Sequence, residues 1–311
     1  MSAPSAPRLD TLVVAGVGLI GASFALALRA AGHARTVVGI GRTKANLDAA
    51  IARGAIDRGH DVQSDWLHEI AGADLVLVAT PVAQVEALLA RIAPHIGPRT
   101  VVTDAGSTKQ DVVAAARVAL GAALPRFVPA HPIAGSDRTG ADAADRELFR
   151  DREVIVTPLA ETAADALQVA TSAWTATGAR VTELAPERHD RLLAAVSHLP
   201  HMLAFALVDE LARRPDAAET FAHAGSGLRD VTRIAASSPE MWRDIALANR
   251  DALADELVLY QSALDRLAQS LADGDGHALE QLFARAATAR RAWSASPTYP
   301  RTPSGAGDDD A

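Results

Sequence analysis

Residues 11–33 read TLVVAGVGLIGASFALALRAAGH, and this stretch decides the fold. It opens on a short apolar run, Leu12 to Ala15, with the continuous hydrophobicity of a strand buried on both faces. It closes on an alanine- and leucine-rich run that reads as an apolar helix ending near Gly32. Between them, GVGLIG sets Gly16, Gly18 and Gly21 in the spacing G-x-G-x-x-G. A glycine pattern alone says little; a glycine turn that follows a strand and opens a helix says more. Gly16 permits the tight turn, Gly18 lets a pyrophosphate approach the backbone, and Gly21 lets helix and strand pack closely. The helix amino end then offers free N–H groups and a partial positive charge to an anion. The stretch therefore reads as a dinucleotide-binding loop, with Leu19 and Ile20 completing the turn.

The alternation continues along the chain. TVVGIG (36–41), ADLVLVAT (73–80), RTVVTDAG (99–106) and RFVPA (126–130) read as strands. Helical patterns lie between them at 43–54, 81–96 and 107–121. EVIVTP (153–158) and ARVTEL (179–184), separated by a helix over 162–177, are expected to extend the same sheet. Val/Leu strands alternating with helices predict a parallel sheet covered on both faces, a Rossmann-like α/β domain over 10–184. After 185 no strand pattern is clear, and helices are expected over 186–213, 216–235, 238–272 and 276–293. This predicts an all-α domain over 185–293, with a loose tail at 1–9 and a disordered one at 294–311.

Composition narrows the function. The net charge of -8 gives no reason to expect nucleic acid or an anionic membrane as partner. Cysteine is absent, which excludes disulfides, thiolate metal sites and a cysteine nucleophile, and fits a cytoplasmic location. The uncharged run from Leu12 to Leu28 could pass for a signal peptide or short membrane helix. Asp10 in its basic flank, its three glycines, its length and the alternating pattern that follows all argue for a domain interior instead.

The second strand bears on cofactor choice. An acid that holds the ribose hydroxyls is usual about 20 residues past the glycines. Here Gly41 stands at that point, followed by Arg42, Thr43 and Lys44. Two cations and a hydroxyl favour NADP, with NAD possible. Thr80 and Pro81, where the third strand meets its helix, complete the expected cofactor residues.

VPAHPIAGSDRTG (128–140) carries His131 at the end of an apolar run, before a polar loop of small residues. A histidine there suits a proton acceptor; spacing alone leaves a packed, backbone-bonded histidine equally open. The blocks GVGLIGAS, DAGSTK, HPIAGSDRTG, SHLPHMLAFALVD and GSGLRDVTRIAASSPEMWRDI together resemble, in order and spacing, the prephenate/arogenate dehydrogenases of tyrosine biosynthesis. The resemblance runs from about residue 10 to 293. It implies a Rossmann-like domain followed by a helical domain that dimerises. It also implies oxidative decarboxylation of prephenate to 4-hydroxyphenylpyruvate, or of arogenate to tyrosine, with a nicotinamide dinucleotide and without a metal.

On that resemblance His131 is the proton acceptor and Ser107 a partner for the substrate hydroxyl; Ser107 also suits a helix N-cap. Arg233 matches the arginine that binds a substrate carboxylate, His201 faces the substrate side chain, and Ser197 and Ser136 are polar contacts. His198 is expected to be structural, and Trp242 to pack near the dimer seam. Asp137 is placed to meet the ammonium of arogenate, so dual use of both substrates stays open. With no added regulatory domain, tyrosine would act by competition in the active site. A β-hydroxyacid dehydrogenase would need a helical lysine, and the chain has none after residue 185. A dinucleotide sensor without catalysis would not need His131, Ser107 and Arg233.

Overall fold

The computed structural model describes residues 8–136 and 138–296. Its elements run β1 (Leu9–Ala15), α1 (Leu19–Ala30), β2 (Ala34–Gly41), α2 (Lys44–Ala52), β3 (Arg58–Asp61), α3 (His68–Ala71), β4 (Leu75–Val78), α4 (Val85–Ile92), β5 (Val101–Asp104), α5 (Gln110–Leu120), β6 (Phe127–Val128) and β7 (Ala130–Pro132). Then follow β8 (Glu153–Val156), α6 (Ala164–Ala176), β9 (Arg180–Glu183), α7 (Pro186–Leu193), α8 (Leu199–Ala212), α9 (Ala217–Ala222), α10 (Ser226–Thr232), α11 (Pro239–Ala248), α12 (Arg250–Ala272) and α13 (Gly276–Ser294).

Six parallel strands form one sheet in the order β3-β2-β1-β4-β5-β6. Successive residues of β1 serve opposite faces: Leu12 and Val14 enter one apolar layer, Val13 and Ala15 the other. A strand buried on both sides has no polar face, which is why it reads as a continuous apolar run. The strand order reverses between β1 and β4, and in an open α/β sheet such a reversal leaves a crevice at the carboxyl ends.

Two expectations about the first domain are corrected, and one strand is added. The strands at 153–158 and 179–184 do not extend the main sheet. They are β8 and β9 of a separate three-stranded sheet, in which β7 pairs antiparallel with β8 and β8 parallel with β9. The cause is Pro129, which has no N–H to continue β6; the chain steps past it, and β7 joins the second sheet with His131 opposite Ile155. β3, with the sequence RGHD, lacks an apolar run because it is an edge strand, and it was not legible as a strand. Finally, the helix expected from Ser107 begins at Gln110, and Ser107 makes no cap.

Beyond β9 the chain is helical. A π-turn, Ala194–His198, joins α7 to α8 in one run, Pro186–Ala212, that is long and apolar enough to cross a membrane by length and composition alone. That run also buries His189, Asp190 and His198, the groups of a polar protein interior. The helices expected over 216–235 and 238–272 are each interrupted, the first around Gly225 and the second at Asn249. The described residues divide into two compact units, one ending at Leu253 and one beginning at Ala254. The second holds the rest of α12 and α13, and none of its described side chains is buried.

Candidate active site

The glycine loop has the geometry its sequence suggests. Gly16 adopts φ +103°, and a β-carbon there would collide with the Ala79 carbonyl. A β-carbon on Gly21 would strike the Gly16 carbonyl oxygen and come within 2.8 Å of Val14. Nothing lies within 4 Å of the place a β-carbon would take on Gly18, which opens α1 as its cap residue. Thr80, just past β4, keeps its Oγ1 buried without a hydrogen-bond partner. A backbone cradle, a free helix amino end and an unpaired hydroxyl at the strand reversal suit a dinucleotide pyrophosphate. Leu19 and Ile20 form the first helical residues, and Pro81 is exposed at the rim.

At the end of β2, Arg42 is exposed and forms no ion pair among the described residues. Lys44 bonds Asp48 at 2.6 Å, one helical turn away. Thr43 precedes α2 without a side-chain cap bond. A carboxylate does stand nearby: Asp61 ends β3 in register with Gly41, and its Oδ1 accepts from the Gln63 amide at 2.8 Å.

His131 is nearly buried, and its partners come from far along the chain. Its Nδ1 lies 2.8 Å from His189 Nε2, and His189 Nδ1 lies 2.8 Å from Asp190 Oδ1. The Asp190 carboxylate also accepts from the Lys109 and Gln110 amides, both at 2.8 Å. It thus caps α5 in place of Ser107. A carboxylate only accepts, so His189 Nδ1 carries a proton, and in the neutral ring its Nε2 is then a lone pair. His131 Nδ1–H then donates to that lone pair, which leaves His131 Nε2 as the free base. Burial first, then the repulsion a proton would meet from any charge on His189, on Lys109 and on His198, holds the His131 imidazole well below its ordinary range, so it is neutral. Burial pushes the Asp190 carboxyl upward, but the hydrogen bonds from His189, Gln110 and Lys109 outweigh it and keep the group ionised.

The residue before His131 is held as firmly. Asp104 Oδ1 accepts from the Ala130 amide at 2.9 Å, and Lys109 Nζ donates to the Ala130 carbonyl at 2.7 Å. Lys109 and Asp104 bond each other at 2.5 Å with no exposed side-chain surface. Such a pair adds little net stability once its desolvation is counted. What it supplies here is a fixed position for β7, tied to β5.

A second group lies on the helical side. His201 stacks on Trp242 with ring centres 3.6 Å apart, and its Nδ1–H donates to the Ser197 carbonyl, 2.9 Å away. Burial, only partly offset by that carbonyl, lowers its affinity for a proton, and the charge of Arg233 adds to the effect. Arg233 is exposed at the start of a short 3-10 turn, Arg233–Ala236. His198 is buried, bonds Asn249 at 3.1 Å, and is pushed by burial down to about 4. The structure therefore brings His131, His198, His201 and Arg233 within electrostatic reach of one another in succession. Ser107 is half-buried, in the loop between β5 and α5. Ser136 is exposed, its hydroxyl accepting from the Arg138 amide at 3.1 Å. Asp137 lies outside the described residues.

Two family models cover most of this chain: "Prephenate dehydrogenase, nucleotide-binding domain" over residues 24–183, and "Prephenate dehydrogenase, dimerization domain" over 185–285. The chain belongs to the prephenate dehydrogenase family. It is 35% identical to the prephenate dehydrogenase of Bacillus subtilis over 277 residues, 88% of this chain and 73% of that one. It is 34% identical to the cyclohexadienyl dehydrogenase of Zymomonas mobilis over 285 residues, 90% of this chain and 95% of that one. Among solved structures, prephenate dehydrogenase from Aquifex aeolicus, in complex with hydroxyphenyl propionate and NAD+, superposes with a TM-score of 0.84 at 30% identity. It covers 91% of this chain and 97% of its own.

Sequence reasoning missed His189, Asp190, Asp104, Lys109 and Asn249. The signals were faint. ERHDRL (187–192) reads as a solvated helix start, and only the buried face of α7 shows that its His-Asp pair turns inward. The lysine of DAGSTK was in view, but nothing local says that it is buried.

Proposed function

We propose that this protein oxidatively decarboxylates prephenate to 4-hydroxyphenylpyruvate, as a cytoplasmic homodimeric enzyme of tyrosine synthesis. The observation that carries the reading is the neutral His131 with a free Nε2, backed by His189 and Asp190, in a chain of this family. His131 accepts the proton of the substrate's ring hydroxyl as the carbon beneath it loses hydride. The bound dinucleotide supplies the hydride acceptor. Loss of carbon dioxide returns its bonding electrons to the ring, and His131 gives the proton back to the phenolic oxygen. His189, fixed by Asp190, holds the His131 ring and steadies its charge when it is protonated. Ser107 bonds the hydroxyl. Arg233 and His201 meet the carboxylate-bearing side chain, with Ser197 and Ser136 as polar neighbours. Gly16, Gly18, Leu19, Ile20, Gly21, Thr80 and Pro81 hold the dinucleotide.

We divide the work between a dinucleotide domain, 10–184, and a helical substrate and dimerisation domain, 185–293. The dimer rests on the apolar side chains left open beyond residue 253, among them Val258, Leu259, Leu271 and Phe283, which are all more than half exposed. For the dinucleotide we favour NADP, because Arg42 forms no ion pair among the described residues and Gly41 stands where an acid is usual. Asp61 beside Gly41 and the Lys44–Asp48 pair favour the second reading, NAD. For the substrate the second reading is arogenate, through Asp137. The deciding experiment is a steady-state assay of the purified protein on prephenate and on arogenate, each with NAD and with NADP. Reduced dinucleotide formed with release of carbon dioxide is the expected result; tight dinucleotide binding without turnover of either substrate would leave only a sensor.

A further inference from the structure

Asn46 lies in the first turn of α2, and its side chain bonds the dinucleotide loop on one side and the end of the segment that follows His131 on the other. Its Nδ2 donates to the Val17 carbonyl at 2.5 Å, and its Oδ1 accepts from the Ala141 amide at 2.8 Å. Val17 sits between Gly16 and Gly18, inside the phosphate loop. Ala141, fully buried, closes the polar segment that follows His131. A carbonyl can only accept and an amide N–H only donate, so the two bonds fix which way the Asn46 amide faces. No other side chain of this length supplies both: aspartate cannot donate, leucine does neither, and glutamine is one methylene too long. Gly140, at φ +82°, brings the chain in so closely that a β-carbon there would lie 3.3 Å from Asn46 Oδ1.

The neighbouring bonds strengthen the connection. Ser23 Oγ, on α1, accepts from the Asp145 amide at 2.9 Å, and Arg53, at the end of α2, donates to the Ala144 carbonyl at 2.6 Å. Residues 141–145 are thus docked on the two helices that flank the dinucleotide loop. Of these three side chains, Asn46 alone also bonds the loop itself.

We propose that Asn46 is a positioning residue that couples the dinucleotide loop to the substrate segment, so that each ligand tightens the binding of the other. The proposal rests on the functional reading above. A dinucleotide that settles the Gly16–Gly18 backbone settles the Val17 carbonyl, and through Asn46 it settles the end of the segment that begins at His131. Coupling between two sites is reciprocal and commonly amounts to about 5- to 150-fold in affinity.

The test measures dissociation constants by titration calorimetry for NAD and NADP, alone and with saturating 4-hydroxyphenylpyruvate. In the unaltered protein the product should tighten the better dinucleotide at least about fivefold. In Asn46→Ala and Asn46→Asp that ratio should fall below about twofold, with each ligand's separate affinity changed by no more than about threefold. Asn46→Asp keeps the acceptor for Ala141 and loses the donor to Val17, so it isolates the loop-side bond. If Asn46→Ala melts too early to be used, Asn46→Ser is judged by the same ratio. An undiminished ratio in the variants, or no coupling in the unaltered protein, overturns the proposal. Failure of the functional reading looks different: unaltered protein that binds neither dinucleotide, or that binds one without turning over prephenate or arogenate.

Discussion

The dinucleotide edge and the histidine cluster belong to one compact unit but are built from different materials. The first is backbone: Gly16 and Gly21 are required because other atoms occupy the space a side chain would need, and Gly18 is left open. The second is side chains: His131 leans on His189 and Asp190, residues 58 and 59 positions further along the chain, and Asp190 reaches back to cap α5. A backbone cradle recognises a shape and a charge that every dinucleotide shares. A cluster of buried titratable groups sets the protonation state of one atom, and it can do so only by excluding water and satisfying each member. The contrast predicts that single substitutions will cost chemistry on one side and ligand selection on the other.

The largest effect belongs to His131. His131→Asn should lower kcat by roughly 10²–10⁴, the usual contribution of a general base, while dinucleotide affinity stays within about threefold. Parallel loss of both would erase the distinction between the two regions. Because burial and neighbouring charge hold the His131 imidazole of the free protein well below its ordinary range, kcat/KM should stay flat as pH is lowered through about 6.5 and fall only in more acidic solution. An acid limb centred near 6.5 or higher would mean that another group is the base.

Arg233 comes next. One charge-assisted contact to a carboxylate contributes about 1.5–3 kcal/mol, so Arg233→Ala should weaken prephenate by about ten- to a hundredfold and leave the dinucleotide nearly untouched. Calorimetry with each ligand separately reads this directly, and equal weakening of both would point to damaged folding. On the opposite side, Arg42→Ala should lower the NADP-to-NAD ratio of kcat/KM by about tenfold, less than a buried contact would give, since Arg42 is exposed. Gly41→Asp should shift the ratio the same way, with only Leu47, 2.9 Å from the new β-carbon, needing to move. A ratio that neither change alters would place the phosphate selectivity elsewhere, with Asp61 the first residue to try.

The same difference in material decides what the sequence discloses. The glycine loop is local, and its strand, turn and helix lie within about 25 residues, so fold class and cofactor site can both be read from one window. As a candidate, His131 is half legible from its place at a strand end, while His201 and Arg233 are legible only through the resemblance of whole blocks. His189, Asp190 and Lys109 look like ordinary surface residues until distant helices bury them. The second sheet was misread for a comparable reason: β8 is as apolar as a central strand, and nothing in its own residues says that its neighbour is β7 and not β6.

The smallest effect concerns Glu69, where the dinucleotide side uses a nearly buried carboxylate as the histidine side does. Arg58, from the edge strand β3, donates to both of its oxygens at 2.8 and 2.7 Å, and His60 Nε2 lies 3.0 Å away. The Arg58 bonds, with burial opposing them and His60 adding to them, pull the Glu69 carboxyl from 4.5 down to about 2. A lowered carboxyl pKa stabilises the folded chain above the unfolded value and loses that contribution as pH falls through the folded one. The window here runs from about 4.5 down to about 2. Arg58 is about half exposed, which screens the pair, so Glu69→Gln should cost only about 1–2 kcal/mol near neutral pH, or a few degrees in Tm. The gap between the two proteins should narrow between about pH 7 and about pH 3.5, because the unfolded unaltered chain then takes up a proton at Glu69 that the folded one does not, and the glutamine variant cannot take one up there in either state. A gap of the same size at both pH values would mean that Glu69 holds β3 by packing and neutral hydrogen bonds, and that buried charge matters only on the histidine side.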